Sequence, residues 1–234
     1  IYLVLTGDNS TRTIATTQPM KFAAIEGLYN GTQGAGLVAV GVFSTSKTDP
    51  NNENLKDFSL KIEIPNILSY MAFLDWNAFV PGVNDLINGN EQHGIMSAYE
   101  KMKRGKLAVA KLTDFKNAQK AGNDSLANVL KTEIMDKAFQ DNFFKYFGYG
   151  YVDDPHKLIP SIPLTFYSFH IMVMLGGYFV LFFILSLVFT LRNQLENRRW
   201  YLRLAIWTIP LAYLASQAGL DVLQSLQPRA AGMD

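Results

Sequence analysis

From Leu164 to Leu191 the only ionisable side chain is His170, and this run constrains the chain more than any other feature. At about 1.5 Å per helical residue it outlasts a hydrocarbon core of roughly 30 Å and leaves room to tilt. A helix buried in a soluble core is the alternative. The composition argues against it: 49% of the residues are apolar and only 18% charged, little charge for a soluble domain. Leu204 to Leu220 is a second, weaker run interrupted by Pro210, a residue that a membrane helix tolerates when neighbours satisfy the freed carbonyl. Transmembrane helices are therefore predicted at 161–192 and 204–220.

The loop between them, 193–203, carries Arg198, Arg199 and Arg203, and Arg192 stands at its edge. Arginines beside two spans mark the cytoplasmic side, so residues 7–160 are predicted to be extracytoplasmic. Trp200, Tyr201 and Trp207 then fall near the inner headgroups, and Phe166 and Tyr167 near the outer ones. Ile1 to Leu5 is apolar and runs into Thr6-Gly7-Asp8. Residues 1–6 are read as the end of a further membrane helix, and the chain as an internal piece of a larger membrane protein. The expected fold is an all-α-dominated integral membrane protein, a transmembrane bundle fragment with a large extracytoplasmic loop domain. A net charge of +1 gives no electrostatic support for nucleic-acid binding. The chain has no cysteine, which excludes disulfides and thiolate metal sites.

Within 7–160, Thr16 or Thr17 is placed to cap a short helix with Pro19 in its first turn, running to about Tyr29. Leu37–Phe43 is a β-branched run that reads as a strand, and Ser44–Leu55 is a polar, turn-rich loop. Phe58, Leu60, Ile62 and Ile64 alternate with polar residues and predict a half-buried strand. Residues 66–90 read as irregular with one short helix. Apolar residues at helical spacing predict a helix over about 95–119, and Ser125–Phe139 a second. The pair would form a hairpin on the outer surface. The aromatic and glycine cluster Phe143–Tyr151 reads as an interfacial anchor.

Three charges stand out near the start: Asp8, Lys21 and Glu26. Lys21 and Glu26 are five apart, about 140° around a helix, so they are not the usual surface ion pair. A hydroquinone gives up two protons and two electrons on oxidation. Carboxylates within reach would take the protons, a cation would stabilise charge on the ring oxygen, and Phe22, Ile25 and Leu28 would floor the ring. The same residues also read as three solvated charges. His170 and Met172 sit near the outer end of the long run. A thioether is a soft ligand suited to heme iron, and an ionisable residue inside a span invites a functional reading; methionine in an apolar helix is also ordinary packing. Two apart, the pair cannot both bind one iron.

Gly7-Asp8-Asn9-Ser10 followed by Gln18-Pro19-Met20-Lys21-Phe22-Ala23-Ala24-Ile25-Glu26-Gly27 resembles the start of the Q-loop in subunit I of cytochrome bd-type quinol oxidases. Further motifs agree in order: Lys61–Pro65, Phe147–Tyr151, Pro160–Tyr167, Ile171–Gly177 and Ile209–Tyr213. The long middle insert resembles family forms with an extended Q-loop. The resemblance covers residues 1 to about 219. It implies quinol oxidation on the extracytoplasmic side of a bacterial inner membrane by a multi-pass protein. Electrons would pass through low-spin heme b to a second heme b and heme d, where oxygen becomes water. Lys21 and Glu26 match the family's quinol-binding pair, and Asp8 an Asp beside the same pocket. Met172 matches the axial ligand of low-spin heme b. His170 stands where the family has Arg and would face a heme propionate. Menaquinol or ubiquinol, oxidase subunit II, small subunits and the bilayer are the implied partners. Residues 221–234 depart from the family pattern and form an atypical tail. With the histidine-bearing helices not on this chain, the piece alone is expected to be inactive. The alternative to an oxidase is a membrane-anchored ligand-sensing or scaffolding module without redox chemistry.

Overall fold

The computed structural model describes residues 2–43, 58–196 and 198–225, with side chains from residue 10 onward. The predicted polar loop Ser44–Leu55 and the tail from residue 226 lie outside the described residues. The first helix, α1 (Tyr2–Thr17), does not stop at Gly7 as expected. One glycine costs a helix only about 1 kcal/mol relative to alanine and does not end it. Asp8 therefore lies within a helix and not in a loop at its mouth. The hydroxyls of Thr16 and Thr17 do not cap the next helix either, because they bond back to the carbonyls of Arg12 and Thr13.

Helix α2 (Pro19–Glu26) has Pro19 in its first turn and ends at Gly27, whose φ of 68° is left-handed. The Gly27 amide closes the helix against Ala23 and Ala24. A side chain at Gly27 would meet Phe43, Phe58 and Phe166 at about 3 Å, so both the backbone angle and the space require glycine. After a short strand β1 (Thr32–Gln33), β2 (Leu37–Phe43) pairs antiparallel with β3 (Phe58–Ile64), with Val40 opposite Ile62 and Val42 opposite Leu60. Of the β3 residues expected to be half-buried, only Phe58 is covered; Leu60 and Ile62 are 68% and 63% exposed. The alternation is real, but the two-stranded ribbon has nothing packed on that face among the described residues.

Helix α3 (Ile67–Phe73), strand β4 (Phe79–Val80, paired with β1) and helix α4 (Val83–Asn88) follow. This stretch is more ordered than the irregular segment expected. Asp85 ties it together, accepting from the amides of Gly31 and Gly82 and from the Asn90 side chain. The inner core joins Ala23, Ala24 and Tyr29 to Val83, Leu86, Ile87, Ala98 and Ile162.

The expected helical hairpin forms from α5 (Ala98–Lys120) and α6 (Asp124–Met135), joined by a Lys111–Glu133 ion pair at 2.6 Å. Its second arm is shorter than expected, because Asp136 turns extended and caps α7 (Lys137–Asn142) by accepting from the Phe139 amide. The aromatic cluster forms a 3-10 segment, Phe144–Tyr151, laid along α5, with Gly105 and Gly150 in backbone contact.

Helix α8 (Ile162–Leu191) is antiparallel to α9 (Arg199–Ser225), which contains Pro210. Polar pairs fix their register. Thr165 meets Ser225, Tyr178 meets Thr208 at 3.0 Å, and the buried Tyr201 hydroxyl donates to the Phe182 carbonyl. Among the described residues one segment, Pro155–Leu191, is long and apolar enough to cross a membrane by length and composition. Most large side chains of α8 beyond its first turns, such as Val180, Leu181, Phe183 and Leu187, face outward uncovered.

Substituting Gly105 tests the contact between α5 and the aromatic segment. A methyl group there would overlap the Tyr146 carbonyl and the Gly150 amide, both backbone. Gly105→Ala is expected to destabilise this unit by about 1–3 kcal/mol, read as faster hydrogen exchange in residues 143–151 of the assembled protein.

Candidate functional site

Helix α2 delivers its two charges to different places. Lys21, in the first turn, is half-buried and lines a cavity of about 470 Å³. Glu26, the last residue of α2, is 6% exposed and is not part of that cavity's lining. Its Oε2 is buried with no hydrogen-bond partner among the described residues. Burial pushes the Glu26 carboxyl up from 4.5 to about 7. Desolvation is the cause, and a nearby cation would have pulled in the opposite direction. The electrostatics and the geometry thus agree that the structure does not bring Lys21 onto Glu26. Asp8 belongs to α1, and its side chain lies outside the described residues.

The cavity is assembled from six places in the sequence, one of them Leu86 of α4. The start of α2 supplies Gln18, Pro19, Met20 and Lys21; the first turn of α5 supplies Ala98 and Lys101. Tyr149 comes from the aromatic 3-10 segment, and Lys157 to Leu164 from the entry into α8. Asp221, Gln224 and Ser225 come from the last turns of α9. Among the described residues, none of Lys21, Lys101 and Lys157 is in an ion pair. Burial, and then the charge of Lys145, hold the Lys101 ammonium below its ordinary value. The Tyr149 hydroxyl is raised by burial and by Tyr146. Sequence reasoning missed Lys101, Tyr149, Lys157 and Asp221 as site residues. No local pattern marks them, since each is an ordinary surface type brought to one cavity only by the packing of α5, α9 and the segments that precede α8.

His170 and Met172 diverge, as their spacing requires. His170 bridges two elements: Nδ1 lies 2.9 Å from the Phe166 carbonyl and Nε2 lies 2.7 Å from the Val38 carbonyl of β2. Carbonyls only accept, so a neutral ring with one N–H satisfies one of them, and the doubly protonated ring satisfies both. A contact from His170 to a heme propionate would give up one of these bonds. Met172 is half-buried in the seam between α8 and α9, its sulfur 3.3 Å from where a Cβ would stand on Gly219. The thioether carries no hydrogen bond and is chemically suited to iron. Among the described residues there is no cluster of histidine or carboxylate ligands for a metal ion.

The fold and the site together define a helical protein with a bilayer-length apolar helix and, beside the N-terminal end of that helix, a lysine-lined pocket and a separate desolvated carboxyl. The chain matches the family model of cytochrome bd terminal oxidase subunit I over residues 1–225. It is 26% identical over 218 residues to cytochrome bd-II ubiquinol oxidase subunit 1 of Escherichia coli (strain K12), covering 91% of this chain and 40% of that protein. It is 26% identical over 216 residues to cytochrome bd ubiquinol oxidase subunit 1 of Bacillus subtilis (strain 168), covering 92% of this chain and 32% of that protein. This chain belongs to the cytochrome bd terminal oxidase subunit I family, and it spans less than half the length of these relatives.

Glu26 makes stability depend on pH in a defined sense. Between about 4.5 and 7 the folded carboxyl keeps a proton that the unfolded chain releases. The folded state binds more protons in this window, so stability falls as pH rises through it. The cost is complete above the window and amounts to about 3 kcal/mol. Thermal melts of the assembled protein should decline across this window, whereas Glu26→Gln should flatten the decline and melt higher at alkaline pH.

Proposed function

We propose that this chain forms the quinol-oxidising part of a membrane terminal oxidase. It lies in a bacterial inner membrane with residues 7–160 on the extracytoplasmic side and two spans at 161–192 and 204–220. Its substrate is menaquinol or ubiquinol, and the whole enzyme, with subunit II and small subunits, reduces oxygen to water. The observation that carries this reading is Glu26: a buried carboxyl poised at about 7, its Oε2 without a partner among the described residues, beside the entry to a bilayer-length helix, in a member of this oxidase family. A base works best when its affinity for protons matches the operating pH. A carboxyl with no internal partner has a free lone pair for an incoming proton.

In this mechanism Lys21 holds the quinol oxygen as negative charge develops on it. Glu26 and Asp8 accept the two protons. Glu26 does not line the cavity beside Lys21, so the proton reaches it through an intervening water. Met172 is the residue of this chain that would hold low-spin heme b, and His170 would reach a propionate by releasing a backbone carbonyl. The b-type hemes and heme d supply one-electron acceptance and oxygen chemistry when bound.

The test is Glu26→Gln in the intact oxidase. Quinol oxidation should fall by about 10² or more, and the wild-type rate should rise with pH through about 7 as Glu26 ionises. Heme reduction by an artificial electron donor should persist. Equal loss with both donors would remove Glu26 from proton acceptance.

A further inference from the structure

Lys101, Lys157 and Tyr149 have no part in the mechanism above, yet they surround the same cavity as Lys21. Three ammonium groups converge on this space, and among the described residues none is in an ion pair. Among the described residues the cavity's only carboxylate is Asp221, whose Oδ1 already accepts weakly from Gln217 at 3.4 Å. Like charges gathered without counterions repel, and the cost falls when an anion enters. The Lys101 ammonium sits 6.0 Å from the Tyr149 ring centre, so the charge and an aromatic face lie side by side. The remaining walls are apolar, including Met20, Leu86, Leu158 and Leu164. About 470 Å³ exceeds what one small inorganic anion needs and falls within the range of pockets for organic ligands. The cavity lies between the start of α8 and the end of α9, where a molecule dissolved in the bilayer arrives.

We infer that this cavity is the headgroup site of the quinol and that it takes the hydroquinone as its monoanion, with Lys101 and Lys157 joining Lys21 around the charged oxygen. The inference rests on the quinol-oxidase reading. The step is a deprotonation. One O–H bond of the hydroquinone breaks, its electron pair stays on the oxygen, and the proton passes through water to Glu26, the first of the two acceptors in that reading. No electron leaves the ring in this step. The lysines, as ammonium groups, accept no proton and act through charge alone. Tyr149 supplies a ring face against which the quinol ring packs.

The charged and titratable groups facing this space are Lys21 on α2, Lys101 on α5, Tyr149, Lys157 and Asp221 on α9, with Lys145 beside Lys101 and Tyr146 beside Tyr149. The test uses the intact oxidase, a short-chain quinol, and the variants Lys101→Met, Lys157→Met and Lys101→Arg. Each Met variant should raise KM about tenfold and move the pH profile of quinol oxidation toward alkaline pH, because a weaker positive field disfavours the monoanion. Lys101→Arg should restore both, which a merely structural role would not require. Heme content and reduction by an artificial donor report that each variant is assembled.

A phospholipid phosphate shares the chemistry of an anion on an apolar tail. If the Met variants keep KM and the pH profile but lose bound phospholipid by mass spectrometry, the cavity is a lipid site and the inference is overturned. If Glu26→Gln stops quinol oxidation while the lysine variants change nothing, the inference fails and the oxidase reading stands. If Glu26→Gln also leaves quinol oxidation intact, the oxidase reading itself fails.

Discussion

Gly27 turns the chain at a point where three phenylalanine rings leave no room for a side chain, and the site is organised around that turn. Phe43 stacks on Phe58 with ring centres 4.5 Å apart, and Phe166 of α8 closes the cluster at 5.1 and 5.2 Å from them. The β-ribbon, the end of α2 and the start of α8 therefore meet at one place. Glu26, one residue before the turn, is carried into the interior with the helix end. Lys21, more than a turn earlier, is left facing the cavity. The Tyr167 hydroxyl, which accepts from the Phe43 amide, and the bonds of His170 to Val38 and Phe166 add polar ties across the same junction.

The separation of Glu26 from the lysines has an electrostatic consequence. A carboxyl beside an ammonium would be held ionised and would make a poor proton acceptor near neutral pH. Desolvation alone does the opposite and holds the carboxyl where it titrates near pH 7. The three lysines, in turn, share a cavity whose only carboxylate among the described residues is Asp221. The lysine-lined cavity takes the start of α2, and the desolvated carboxyl of Glu26 stands at the end of the same helix.

The two long helices hold the other side of the cavity. Their contacts include the stacking of Phe182 on Tyr201, with ring centres 4.9 Å apart, and polar pairs: Thr165 with Ser225, Tyr178 with Thr208, and Tyr201 with Ser186 and the Phe182 carbonyl. In an apolar setting such bonds set register, because the alternative is an unsatisfied polar group. The Thr165–Ser225 bond matters most for the site. It fixes the last turn of α9 against the first turn of α8 and so places Asp221 and Gln224 at the cavity.

The sequence alone determined the bilayer-length helix, the strands at Leu37–Phe43 and Phe58–Ile64, the α5–α6 hairpin and the resemblance to the oxidase family. Each is written in local periodicity, in turn residues or in ordered motifs. It misjudged the end of α1, because a lone glycine resembles a stop only when its backbone angle is unknown. It also misjudged the burial of β3, because alternation records a face without naming what covers it. It singled out Lys21 and Glu26 but not their separation. Only the tertiary structure decided that Glu26 is desolvated while Lys21 shares a cavity with Lys101 and Lys157. Burial and the meeting of charges distant in sequence depend on how helices pack across one another, and no local pattern encodes that.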